Sequence, residues 1–308
     1  MNNKAIEKKN NLIGSIMLTV CAIIWGSSFV AQTTGAEYVG PFTFISLRSL
    51  LGSISLLPVI AVMSKMKKRK GEEIDENKKG KKFFILGGIA CGVCLTFASV
   101  LQQLGIDRGT SPGKAGFITA LYILLVPIFS LALKKKIRPL IWFCVALSLG
   151  GLYLLCVTEN TVEPSDFYVL LCAACYAVHI LIIDYVSPHV DGVKLSCMQF
   201  FVCGVLAAVP MLLTEDLSLE LLKGAALSIA YSGIMSSGVA YTLQILGQQR
   251  MNQPTVASML MSLESVFAVL SGMIVLSQIP TLREAVGCVL MFAAIIIAQL
   301  PEKKKSKA

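Results

Sequence analysis

The chain has 308 residues, of which 55% are hydrophobic and only 15% charged, and its mean hydropathy is +0.74. Soluble domains carry about 25% charged residues, so this composition excludes an ordinary water-soluble globule, and the long apolar tracts exclude a disordered chain. The formal net charge of +9 would suit a nucleic-acid binder if it were spread over a folded surface, but the basic residues stand in short runs between those tracts.

A helix crosses a ~30 Å hydrocarbon layer with ~20 residues at a rise of 1.5 Å each. Ten tracts meet that length in chain order: Leu12–Ala31, Phe42–Val62, Phe83–Leu104, Gly113–Leu133, Leu140–Val157, Phe167–Val186, Val193–Leu213, Ala225–Leu246, Pro254–Leu276 and Leu282–Leu300. The first follows a charged start, as a signal peptide would. It lacks a small-residue cleavage site and more tracts follow it, so it reads as a retained helix. Ten crossings return the chain to the side on which it began. On that side lie 22 of the 27 Lys and Arg, against four on the other, Arg108, Lys114, Lys223 and Arg283, with Arg48 inside a tract. The excess of positive charge on cytoplasmic loops therefore predicts two cytoplasmic termini in a multi-pass plasma-membrane protein. The runs within Lys65–Lys82 then set topology, and nucleic acid drops out as a partner.

All ten cysteines fall in apolar tracts or at their edges, which argues against extracellular disulfides. Cys91-x-x-Cys94 and Cys172-x-x-Cys175 have metal-ligand spacing, but residues three apart on a helix share one face, where Cys packs as a small apolar group. Two histidines, His179 and His189, cannot build a three-His or HExxH site. Gly109–Lys114 lacks the Gly-Lys-Ser/Thr order of a phosphate loop, and no nucleophile–base pair stands out from spacing. No metal, cofactor or catalytic residue is expected, and the chain reads as a non-enzyme.

The two halves repeat. At an offset of 142, residues 102–115 (QQLGIDRGTSPGKA) align with 244–257 (QILGQQRMNQPTVA) with six identities in 14 positions. At an offset of 151, Trp25-Gly-Ser-Ser-Phe29 falls on Tyr176-Ala-Val-His-Ile180 and Arg48 on Gln199. The nine-residue difference fits inside the Lys65–Lys82 loop. The expected fold is all-α: ten transmembrane helices as two five-helix repeats over 12–157 and 158–300, with cytoplasmic ends 1–11 and 301–308. Five crossings are an odd number, so the second unit is inverted, an arrangement recurrent among transporters because two like units can exchange conformations to open each face in turn. A duplication serving packing alone is the alternative.

Trp25-Gly-Ser-Ser-Phe29, Arg48, Ala115-Gly-Phe-Ile-Thr-Ala-Leu121, Pro127 and Ser262-Leu-Glu-Ser-Val-Phe-Ala268 resemble, in order, spacing and repeat phase, the EamA-type drug/metabolite transporters over residues 12–300. The resemblance implies a central cavity lined from both units and export or exchange of small polar metabolites by alternating access. Ser265 and Gln278 depart from the family pattern, where Pro and Glu are usual.

A charged side chain inside a span costs about 2.5–3.5 kcal/mol on insertion scales unless it finds a partner or water. Glu264 lies ten residues past Pro254, about 15 Å along the helix and near mid-membrane. It reads as a protonatable group that binds a substrate amine or carries a coupling proton, or else as a neutral hydrogen-bonded packing residue. Arg48 reads either as a carboxylate or phosphate clamp or as an anchor paired to a backbone carbonyl or to Glu37. Asp184, near the inner end of its tract, is expected to reach water. Gln102 and Gln244 occupy equivalent places in the two halves, Gln199 is the counterpart of Arg48, and Tyr122 that of Glu264. Each offers either a substrate contact or an interhelical hydrogen bond. Trp25 and Tyr241 offer stacking or core packing, and His179 a ligand or a buried packing residue.

The expected protein is thus a proton-coupled or uncoupled secondary transporter, exporting amino acids or related metabolites. Its partners are a small-molecule substrate and membrane lipids, and it is a monomer or homodimer. A nucleotide-sugar or sugar-phosphate exchanger is the alternative within transport; a membrane sensor or intramembrane enzyme is the alternative outside it.

Overall fold

The computed structural model describes residues 3–69, 79–110, 112–156, 163–251, 253–276 and 281–300. Gln278, the junction expected at 157–158 and the basic end 301–308 lie outside them. Every described element is helical, with no strand among the described residues. In order they are α1 (Asn3–Ala36), α2 (Pro41–Arg69), α3 (Lys81–Asp107), α4 (Pro112–Ala120), α5 (Tyr122–Ala132), α6 (Pro139–Cys156), α7 (Pro164–Val186), a 3₁₀ turn (Ser187–His189) and α8 (Gly192–Thr214). Then come α9 (Leu219–Tyr231), a π-helix (Ser232–Ala240), α10 (Tyr241–Met251), α11 (Pro254–Met261), α12 (Glu264–Leu276) and α13 (Leu282–Ala298).

The starts follow local chemistry. Proline opens α2, α4, α6, α7 and α11, where its missing N–H costs no helical bond. Thr281 and Glu284 form a capping box at α13. The cap of α2 comes from far along the chain: Glu215, between α8 and α9, accepts from the backbone N–H of Phe42 at 2.9 Å and of Thr43 at 2.7 Å.

Among the described residues, six helical segments are long and apolar enough to cross a membrane: Ile6–Ala36, Pro41–Met66, Lys81–Asp107, Lys114–Ala132, Pro164–His189 and Gly192–Thr214. Much of the outer surface is apolar, with Leu227, Leu282 and Leu213 each more than three-quarters exposed. Water would penalise such a surface and lipid would not. Three expected tracts are helical but interrupted. Gly113–Leu133 divides into α4 and α5, Pro254–Leu276 into α11 and α12, and Ala225–Leu246 passes through the π-helix.

The packing is two-fold. Numbered by tract, the second packs on the seventh (α2 on α8) and the fifth on the tenth (α6 on α13), pairs that map onto themselves when the halves exchange. The third packs on the sixth (α3 on α7), and its image is the first on the eighth (α1 on α10). The two repeats are therefore interleaved rather than side by side. Close approach rests on small residues: a Cβ at Gly92 would lie 2.9 Å from the Gln199 carbonyl, and one at Gly233 would lie 3.0 Å from that of Arg48. Gly88-x-x-x-Gly92 and Gly233-x-x-x-Ser237 serve these seams, as their spacing suggests.

Candidate functional site

Two interrupted helices meet at the centre. In the first repeat Leu121 separates α4 from α5 and its N–H reaches back three residues to Ile118 at 3.1 Å. In the second, Leu263 N–H bonds Leu260 at 3.3 Å and Ser265 N–H bonds Ser262 at 3.2 Å. Three-residue bonds tighten an α-helix into a 3₁₀ turn and redirect it. The hydroxyls of Ser258 and Ser262 also bond the carbonyls of Thr255 and Met259, each at 2.8 Å, a back-bonding that bends helices. A proline at position 265 could not make the Ser265 turn bond, so the departure from the family pattern fits the local geometry.

Each break delivers one side chain. Tyr122 is the first residue of α5 and Glu264 the first of α12, and the tyrosine hydroxyl donates to Glu264 Oε1 at 3.3 Å. Their separation in sequence, 142, equals the repeat offset, so a residue and its own counterpart meet across the two-fold. Gly26 makes room for the pair. A Cβ there would lie 2.6 Å from the Glu264 carbonyl oxygen and 2.7 Å from Ala268 N, so α1 rests directly on the backbone of α12.

Around them is a cavity of about 40 Å³. Trp25, Arg48 and Gln102 line it, together with Tyr122, Tyr241, Gln244 and Glu264. Seven of the nine residues singled out from sequence therefore share one space. Arg48 is 4% exposed, with its guanidinium carbon 5.7 Å from the Phe44 ring centre. No ion pair joins it to Glu37 among the described residues, which removes that anchor from the two readings of Arg48. Gln102 donates to Thr119 Oγ1 at 3.0 Å, and the ring of Trp25 stands 4.6 Å from that of Tyr241, tilted by 60°.

The other two candidates lie off the cavity. His179 Nε2 and Gln199 Oε1 are 3.0 Å apart, both residues fully buried, and the imidazole stacks edgewise behind Tyr241 at 6.3 Å. They stand behind the aromatic wall of the cavity. Asp184, expected to reach water, is ion-paired with Lys135.

The structure adds Gln32, Thr119, Tyr176 and Ser236 to the lining. Tyr176 had a sequence signal, since it is the repeat counterpart of Trp25, and its hydroxyl accepts from that of Tyr241 at 3.4 Å. Gln32 lies seven residues from Trp25 on the same helical face, a spacing too common to single it out. Ser236 arrives through the π-helix, whose wider turn shifts side-chain register in a way α-helical spacing does not forecast.

The lining has unmet hydrogen-bonding capacity. Trp25 Nε1, Gln32 Oε1, Arg48 Nε and Gln244 Oε1 are buried with no hydrogen-bond partner among the described residues. Buried polar atoms are nearly always paired, so four such atoms on residues that line one space leave unmet hydrogen-bonding demand there. Among the described residues no group of His, Cys, Asp and Glu could hold a metal.

Apolar helices with a lipid-compatible surface, a two-fold interleaved repeat and one buried polar cavity define a multi-pass membrane protein of the transporter class. The model of the EamA-like transporter family matches residues 12–157 and again 164–299. The chain belongs to that family. An uncharacterized transporter of Archaeoglobus fulgidus is 28% identical over 96% of this chain and 88% of its own length. The uncharacterized transporter YwfM of Bacillus subtilis is 24% identical over 96% of both chains. A protein of known crystal structure shares the fold, with a TM-score of 0.75 at 17% identity over 93% of this chain and 96% of the other. The Archaeoglobus and Bacillus relatives are named as transporters, consistent with a protein that is not an enzyme.

Proposed function

We propose that the protein is a secondary active transporter of the plasma membrane, with ten crossings and both termini cytoplasmic, that exports amino acids or related small polar metabolites by alternating access. The observation that carries this reading is the pairing of one buried cation, Arg48, and one buried carboxyl, Glu264, on different repeats but on the same cavity. A zwitterion needs one group of each sign, and a metabolite without a net charge crosses such a path at the lowest electrostatic cost. Arg48 takes the substrate carboxylate, with its planar donor set matching two oxygens. Glu264 takes the ammonium or, between substrates, a proton, and Tyr122 holds the carboxyl in place meanwhile. Trp25, Tyr176 and Tyr241 flank the apolar part of the substrate.

A cavity of about 40 Å³ admits a few waters at ~10–15 Å³ of probe space each, and no amino acid. Substrate entry thus requires the repeats to move apart. The interrupted helices and the π-helix are the deformable elements at that place, and the glycine seams let helices slide. The protein works as a monomer or homodimer, in contact with lipid and without nucleic acid.

Counterflow uptake of an amino-acid panel into proteoliposomes tests the reading, with the unmodified protein beside Glu264→Gln at several pH values. Saturable counterflow of at least one zwitterion is expected, with flux in Glu264→Gln at least tenfold lower. Absence of saturable flux across the panel would sink the proposal; full flux in Glu264→Gln with an unchanged pH profile would remove Glu264 from coupling.

A further inference from the structure

A second cavity, of about 300 Å³, lies away from the central one between the α5–α6 loop and the start of α11. Its walls are Ser130, Lys135, Lys136, Arg138 and the first residues of α11, Pro254 to Val256. Helix α11 begins there without a cap: Gln253, the residue before it, offers no side-chain bond to the first turn. Pro254 has no N–H, and Ala257 N–H is already bonded to the Gln253 carbonyl at 3.0 Å, which leaves the N–H groups of Thr255 and Val256 as the donors of the turn without an acceptor among the described residues. Both residues are buried, at 7% and 4% exposure. An uncapped helix start in such a place demands an acceptor, and the helix dipole favours a negative one.

Independent of the helix end, Ser130 points to the same ligand. Its hydroxyl is buried, has no hydrogen-bond partner among the described residues, and its residue belongs to the wall of this cavity. The charge around it is positive. Asp184 takes up Lys135, and Arg138 is held by the carbonyls of Ala298 at 2.7 Å and Leu300 at 3.0 Å, so its charge is fixed in the wall; Lys136 stands exposed on the lining. In the first repeat an acid stands beside the corresponding helix start and is held by side chains there. At the start of α4 the carboxylate of Asp166 pairs with Lys114 at 2.5 Å and accepts from Thr110 at 3.1 Å. The residues aligned with Asp166 and Lys114 in the other repeat are Ser15 and Val256, so no acid fills the start of α11 in that way.

We infer that this second cavity is a binding site for a phosphate-type oxyanion, held by the N–H groups of Thr255 and Val256, the Ser130 hydroxyl and the Lys136 ammonium. Donors converging from a helix end, a neighbouring helix and a loop suit a tetrahedral group better than a planar carboxylate. The phosphate comes either from the headgroup of an anionic lipid, since the cavity lies beside the basic Lys134–Arg138 run at the membrane edge, or from solution. The site does not depend on what the central cavity carries.

Thermal unfolding of the full chain in a neutral detergent tests this with inorganic phosphate alone, with phosphatidylglycerol mixed into the micelles, and with phosphatidylcholine and chloride at matched ionic strength as controls. Each variant is scored against its own baseline. A saturable rise in unfolding temperature is expected with phosphate or with phosphatidylglycerol but not with the controls, with at least tenfold weaker half-saturation in Lys136→Glu and in Ser130→Ala. A response to phosphate alone assigns the soluble source, and one that requires phosphatidylglycerol assigns the lipid. No saturable rise with either, an equal rise with the controls, or an unchanged response in both variants overturns the inference.

Discussion

The breaks at Tyr122 and at Glu264 are the same place in two copies of one unit, yet they carry different chemistry. Both helices begin at a proline, 112 and 254, and turn within a residue of the same relative position. One turn presents a phenol and the other a carboxylic acid. Trp25 and its counterpart Tyr176 both line the cavity, and Arg48 has the neutral Gln199 as its counterpart, set back from the cavity in a bond to His179. The backbone has kept its two-fold relation while the side chains have lost theirs. A symmetric scaffold can open to either side at equal cost, whereas an asymmetric lining fixes how a polar solute lies within it.

The sharpest way to break that comparison is to remove its charge. Glu264→Gln makes the second break neutral like the first, and transport is expected to fall at least tenfold with a flattened pH profile; Tyr122→Phe, which leaves the acid, should cost only severalfold in the same flux assay. Gly26→Val attacks the scaffold instead. Its side chain would enter the Glu264 and Ala268 backbone, where even a Cβ comes within 2.7 Å, so both flux and unfolding temperature should drop together. Arg48→Gln copies the second repeat into the first and should raise KM for a carboxylate-bearing substrate about tenfold, or ~1.4 kcal/mol, with fold intact by circular dichroism.

Smaller effects test the ends of the helices. Asp166→Asn weakens the Lys114 pair at the start of α4 and should lower stability by about 1 kcal/mol, read as a shift of a few degrees in unfolding temperature. Glu215→Gln, which keeps one acceptor for the Phe42 and Thr43 N–H groups, should cost less still. If the Asp166 variant melts unchanged, the difference between the starts of α4 and α11 has no energetic content.

Much of this was legible in the sequence, for identifiable reasons. Tract length and apolarity mark the membrane segments because the bilayer imposes one length scale on all of them. The offset of 142 places Tyr122 opposite Glu264 before any contact is known, and rarity of charge within the tracts singles out Glu264 and Arg48. The breaks were not legible. A one-residue 3₁₀ turn leaves hydrophobicity and propensity unchanged, and Pro127, the visible irregularity of its tract, lies six residues beyond Leu121. The nine-residue π-helix is equally silent, since its residues, Ser232–Ala240, read as an ordinary small-residue seam.

Sequence by itself determined the class of element, the repeat and the short list of polar residues worth asking about, because those follow from composition and spacing along one chain. Only the tertiary structure decided which of them share a space. It set Tyr122 against Glu264, left Arg48 with an unpartnered Nε on the same cavity, and turned His179 and Gln199 toward each other. The reason is physical: hydrogen-bond satisfaction belongs to pairs of side chains on different helices, and no property of a single helix says which neighbour will meet its demand.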